Sequence, residues 1–171
     1  LGGATGAVLD RSLTGLRGLI DRSLADVRAT AGLPPRWQHV RIAGLVADIS
    51  VSASLEAKAL ACEFSVEMDG SDLAVNADRD MLLSALGILL QNAFKFTHRH
   101  STVTLRVYAQ EDRILMDVQD HCGGLPGGNP QDMFGPYTRA GINKAGMGLG
   151  LGICRRSIEA NDGTLSVRNL P

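Results

Sequence analysis

The chain has 171 residues, with 17 basic and 18 acidic side chains and a formal net charge of −1 at pH 7, a length that makes one domain of ordinary size with a sizeable core. The balanced charge, with no long run of one sign and only one Trp, two Tyr and four Phe, gives no electrostatic case for binding nucleic acid. Three cysteines without a CxxC spacing exclude a disulfide framework and a zinc site, and fit a reducing cytoplasm.

Leu9, Leu13, Leu16, Ile20, Leu24 and Val27 recur at helical spacing, with Arg11, Asp21, Arg22 and Asp26 on flanking faces. This predicts one amphipathic helix ending near Ala31-Gly32, ahead of Pro34-Pro35. Its stripe approximates a heptad seam, so association with another helix is expected before the alternative of folding back on the rest of the chain. Trp37 to Ile42 alternates and predicts a short strand, followed by a helix through about Ala59 that carries Leu45, Ile49 and Leu55. Cys62 to Met68 and Leu73 to Val75 read as extended segments around the turn signal Asp69-Gly70, a hairpin-like region.

Asp78 is the expected N-cap of a strongly apolar helix from about Arg79 to Lys95. The apolar run Met81 to Leu90 is about half of the ~20 residues a membrane span needs, and no signal-peptide pattern opens the chain, so no membrane span is expected. Strands are predicted over Val103 to Ala109 and Ile114 to Gln119, joined by the polar turn Gln110 to Arg113. From Cys122 to Gly146 the chain is rich in Gly, Pro and Asn and lacks periodicity; irregular stretches of such length are usually functional. Gly148 to Ala160 predicts a helix, and Asn161-Asp-Gly163 turns into a last strand, Thr164 to Val167.

The chemistry concentrates in three places. The apolar helix ends in Gln91-Asn-Ala-Phe-Lys-Phe-Thr97, a strand runs into Asp120-His-Cys-Gly-Gly124, and Gly146-Met-Gly-Leu-Gly150 opens the next helix. Glycines let backbone approach phosphates, a helix N-terminus offers N–H groups to anions, and an Asn amide oxygen ligates hard cations. Neither glycine stretch is a Walker or dinucleotide fingerprint.

In this order the elements resemble the catalytic ATP-binding domain of sensor histidine kinases, within the superfamily shared with gyrase and Hsp90-type ATPases. The resemblance covers roughly Arg36 to Pro171. It implies an α/β two-layer sandwich of the Bergerat type, with a mixed sheet of about five strands and three helices. The implied division is residues 1–33 as the second helix of a dimerisation and phosphoacceptor hairpin, and 34–171 as the catalytic domain without its last strands. Roles implied by the resemblance are Mg2+ ligation for Asn92, a phosphate contact for Lys95, and a place beside the adenine for Phe96, for which core packing is an equal account. Asp120 would accept from the adenine amino group, with Gly124 completing its turn. Gly146, Gly148, Leu149 and Gly150 would face the phosphates. Leu125 to Ala145 resembles an ATP lid, with Phe134 as its characteristic phenylalanine and Arg139 and Lys144 as cations within it.

The chain departs from the family pattern at Cys122, which stands where the turn usually has glycine, and at Ile88, where a second polar residue of the asparagine motif is usual. A positive φ at Cys122 would carry strain of about 1–3 kcal/mol, which neighbouring Gly123 could absorb. None of His39, His98, His100 or His121 stands in the setting of a phosphoacceptor, so the acceptor histidine is expected outside this chain.

The implied activity is transfer of the ATP γ-phosphoryl group, with Mg2+, to that histidine and onward to a response regulator, in a cytoplasmic homodimer joined through the N-terminal helix. Two other readings stand beside it. A gyrase-like or Hsp90-like ATPase needs a general-base glutamate on the asparagine helix, which this helix lacks. A degenerate kinase domain would act as a protein-interaction module without nucleotide turnover.

Overall fold

The computed structural model describes residues 20, 23–70, 72–125, 133–134 and 150–170; the expectations for residues 1–19, for most of the lid and for Gly146, Gly148 and Leu149 lie outside them. A helix over residues 23–30 (α1) leads through Pro34-Pro35 to β1 (Gln38–Arg41), which passes without a side-chain cap straight into α2 (Ile42–Ala59). Then follow β2 (Glu63–Met68), β3 (Ala74–Ala77), α3 (Arg79–Phe96), β4 (Thr102–Gln110), β5 (Arg113–Gln119) and α4 (Gly150–Ala160).

The five strands form two ladders rather than one sheet: β1 with β3, antiparallel, and a mixed sheet β2-β4-β5. The hairpin expected around Asp69-Gly70 is therefore corrected. The turn exists, with Gly70 at φ +102°, but β2 pairs parallel with β4, Phe64 opposite Val103 and Val66 opposite Leu105, while β3 pairs with β1. Turn residues encode a change of direction and carry no information about the partner. Parallel pairing needs a crossover, which β3 and α3 supply here. Ser65 and Thr104 reinforce it with a hydroxyl hydrogen bond of 2.8 Å.

Period-two alternation aims β4 at the helices. Val103, Leu105 and Val107 are fully buried, against inner faces of α2 (Leu45, Ile49, Ala53) and α3 (Leu86, Leu90, Phe94). The Phe64 and Phe94 rings meet edge to face at 5.8 Å between centroids, the arrangement the ring quadrupole favours.

Asp78 caps α3 as expected, its Oδ1 accepting from the N–H groups of Asp80 and Met81 at 3.1 Å each. At the far end α4 closes in a Schellman motif: Gly163 N–H donates to the Ile158 carbonyl and Asp162 N–H to that of Glu159, with Asp162 at φ +57°. The strand expected over Thr164 to Val167 does not form, because residues 163–170 join no ladder among the described residues. An alternating run becomes a strand only where a neighbour receives its N–H and C=O groups.

Candidate functional site

The end of α3 and the glycine turn after β5 are fastened together by a backbone–backbone bond and by bonds to the Thr97 hydroxyl and the His121 ring. His98 N–H donates to the His121 carbonyl at 3.2 Å, and His121 N–H donates to Thr97 Oγ1 at 3.1 Å. Thr97 Oγ1 is itself bonded to Ser101 Oγ at 2.7 Å, and the His121 ring nitrogen Nδ1 meets the Thr102 carbonyl at 2.9 Å. Two segments more than twenty residues apart in sequence are thus held in register, one carrying Asn92 and Lys95 and the other Asp120.

Within the turn, Asp120 Oδ1 accepts the Cys122 N–H at 3.0 Å, an Asx turn that fixes the carboxylate's orientation. The left-handed conformations fall on Gly123 (φ +85°) and Gly124 (φ +101°), and Cys122 is not among the positive-φ residues. Cys122 therefore incurs no such strain: Gly123, as expected, and Gly124 after it absorb the bend. Burial above all, and then the adjacent Asp120 carboxylate, push the Cys122 thiol pKa up, which keeps it protonated and poorly nucleophilic. Past the turn, Asn169 Oδ1 accepts the Leu125 N–H at 2.8 Å, tying the chain after α4 to the start of the lid region.

On α3, Asn92 is half-buried and its side chain makes no hydrogen bond among the described residues, so its amide remains available to a ligand. Lys95 and Phe96 lie exposed one turn further on, the Lys95 Nζ 5.3 Å from the Phe96 ring centroid. The core aromatic of this helix is Phe94, while Phe96 stays exposed at the surface with Lys95 over its ring. Ile88 does not stand idle where a polar residue was anticipated. A Cβ built on Gly150 would lie 3.2 Å from Ile88 Cγ2, so Ile88 sets how closely α4 approaches α3.

Phe134 is 6% exposed. Its carbonyl lies 3.4 Å from where a Cβ on Gly152 would sit, and the Arg155 guanidinium stacks 5.9 Å from its ring centroid while bonding Glu159 at 2.7 Å. Phe134 is thereby seated on α4 rather than extended toward solvent. Sequence reasoning assigned no part to Thr97, His98 and His121, or to Asn169. The bond between His98 and His121 is backbone to backbone and has no residue signature, and Thr97 joins through its hydroxyl.

The chain matches the histidine kinase-, DNA gyrase B- and HSP90-like ATPase family over residues 77–171. It belongs to that family. The alginate biosynthesis sensor protein KinB of Pseudomonas aeruginosa is 32% identical over 94 residues, covering 55% of this chain and 16% of that protein. The adaptive-response sensory kinase SasA of Synechocystis is 26% identical over 163 residues, covering 90% of this chain and 42% of its own length. The chain thus spans a minor part of the curated relatives it matches. Among solved structures, the catalytic domain of histidine kinase ThkA superposes with a TM-score of 0.67 at 25% identity, covering 74% of this chain and 82% of that one. Full-length ShkA gives 0.64 at 26%, covering 90% of this chain and 33% of that one. The domain is an ATP-binding module of the sensor histidine kinase type. In the described residues, no helix is long and apolar enough to cross a membrane.

Proposed function

We propose that this domain binds ATP with Mg2+ and supplies its γ-phosphoryl group to a histidine outside this chain, for onward transfer to a response-regulator aspartate. The observation that supports the reading is the fastening of the Asp120 turn to the end of the Asn92 helix, which brings the two segments that carry the Asp120 carboxylate and the Asn92 amide together. The ShkA structure contains AMPPNP, which supports an adenine nucleotide as ligand here.

In this reading Asp120 selects adenine, because a guanine carbonyl would oppose the carboxylate and leave a buried acceptor unpaired. Lys95 contacts a phosphate, Phe96 borders the base, and Gly146, Gly148, Leu149 and Gly150 present backbone N–H groups to phosphates. The Asn92 amide oxygen, which takes no hydrogen bond among the described residues, is a donor suited to Mg2+, which characteristically takes one or two protein oxygens with phosphates and water. When bound, the ion neutralises phosphate charge; Asn92 would orient it. The chain's own contribution is positioning. Residues 1–33 belong, on this account, to a helical hairpin that dimerises in the cytoplasm.

Displacement of a fluorescent ATP analogue tests the assignments. Asp120→Asn should weaken adenine-nucleotide binding about tenfold or more, in line with ~1–3 kcal/mol for an unpaired buried group, and reduce selectivity over GTP. Asn92→Ala should abolish the strengthening of binding by Mg2+. Unchanged affinity in Asp120→Asn, or an intact Mg2+ effect in Asn92→Ala, would remove the corresponding assignment.

A further inference from the structure

α1 meets the rest of the described chain on one face. Ala25 and Ala29 are buried with Met81, and Ala160 packs against them. Asp26 accepts the Ser84 hydroxyl of α3. Arg28 Nη2 donates to both oxygens of Asp78, at 3.2 and 3.0 Å, and lies 4.0 Å from Asp80. Ile20, Leu24 and Val27 remain exposed.

The Arg28 and Asp78 pair is asymmetric. Asp78 is fully buried, yet it does not depend on Arg28: its carboxylate also accepts N–H groups from Arg36 at 2.8 Å and from Asp80 and Met81. Its own N–H is taken by Asn161 Oδ1 at 2.6 Å, which ties the α3 N-terminus to the end of α4. Among the described residues Arg28 commits only Nη2, and its buried Nε has no partner there. When α1 leaves, Asp78 keeps three N–H donors and Arg28 Nε regains water. A buried pair is hard to break when separation strands a charge; here separation strands neither group. The apolar part of the contact is alanine methyls and one methionine, a small area to uncover.

We propose that Arg28 and Asp26 form a releasable polar latch that holds α1 on the N-terminal half of α3, and that its opening frees the ATP-binding domain to move relative to α1. The purpose of that movement rests on the histidine-kinase reading, in which the domain must reach an acceptor outside this chain. Arg28 and Asp78 are positioning residues. The seat is specific to one face of α1, so the stripe Ile20, Leu24 and Val27 stays available whether the latch is open or shut.

Methyl NMR on the whole chain tests the latch directly. Nuclear Overhauser contacts between the methyls of Ala25 or Ala29 and Met81 should be strong in the unsubstituted protein. Arg28→Ala should weaken them by about fivefold or more by shifting the population toward the open form, while contacts between the Phe64 and Phe94 rings persist. Arg28→Lys, which keeps the charge, should fall between, and Ser84→Ala should weaken them independently. Undiminished contacts in the combined Arg28→Ala, Ser84→Ala variant would overturn the latch. Loss of the Phe64 and Phe94 contacts in Arg28→Ala would overturn it too, by making Arg28 a support of the fold rather than a removable fastening. Titrating an ATP analogue into the same samples keeps the two readings apart: a chain whose latch responds but which binds no nucleotide refutes the site and leaves the latch standing.

Discussion

Cys154 shows how one residue's surroundings set its chemistry. Its side chain is fully buried and donates to the Ala85 carbonyl at 3.5 Å, and burial, with the nearby Asp26 carboxylate, pushes the thiol from 9.0 to about 12. The unfolded chain releases this proton at an ordinary thiol pKa, whereas the folded chain holds it. The contribution to stability is therefore complete below about pH 9 and lost as pH rises toward 12. Urea denaturation at pH 8 and pH 10 should show a fall in stability that Cys154→Ala flattens, and the native thiol should resist alkylation at pH 8. At the same scale, motif order placed Asn92 near the end of a helix and Asp120 in a turn after a strand, as the structure has them; the ligand roles given to them are proposals. That Gly123 could take the bend for Cys122 was legible too, but its sharing with Gly124 was not, since that depends on the local backbone path.

At the scale of elements, the helix ends carry the most testable energetics. Asp78→Ala removes the α3 cap and leaves the N–H of Arg36 and the Arg28 guanidinium without their acceptor; a loss of about 3 kcal/mol is expected by chemical denaturation. At the other end of the core, Asp162 holds the left-handed position of the α4 Schellman motif. Asp162→Gly should stabilise by about 0.5–1 kcal/mol, because glycine takes that conformation without a Cβ penalty. Gly163→Ala should do the reverse: its Cβ would lie 2.8 Å from Ile158 Cγ2 and 3.1 Å from the Ile158 carbonyl oxygen, for a cost of about 1–3 kcal/mol. Helices were legible from apolar periodicity to within a residue or two, Arg79–Phe96 most closely. Strand partners were not. Cys62 to Met68 and Leu73 to Val75 flank a good turn, and only the pairing of β2 with β4, across a crossover of some thirty residues, decides that they are not a hairpin.

Over the whole molecule, one frame serves two ends. Helix α3 carries the latch contacts of its N-cap Asp78 and of Ser84 at one end and Asn92 and Lys95 near its C-terminus, with the buried Ala85, Leu86 and Leu90 between them. The seat of α1 and the candidate nucleotide site thus lie at opposite ends of one helix. The two-faced character of α1 follows from the same layout: alanines and polar groups on the docked side, Ile20, Leu24 and Val27 on the outer one. The sequence reading set docking and helix association against each other, because periodicity reports that a stripe needs covering and says nothing about what small residues do on the opposite face.

The central claim is that this frame binds an adenine nucleotide. Calorimetric titration of the chain with a non-hydrolysable ATP analogue, in the presence and absence of Mg2+ and beside a GTP analogue, tests it most directly. The account predicts saturable one-to-one binding of the ATP analogue, strengthened by Mg2+ and clearly weaker for the GTP analogue. A folded sample that binds neither analogue, or both equally well, would contradict it.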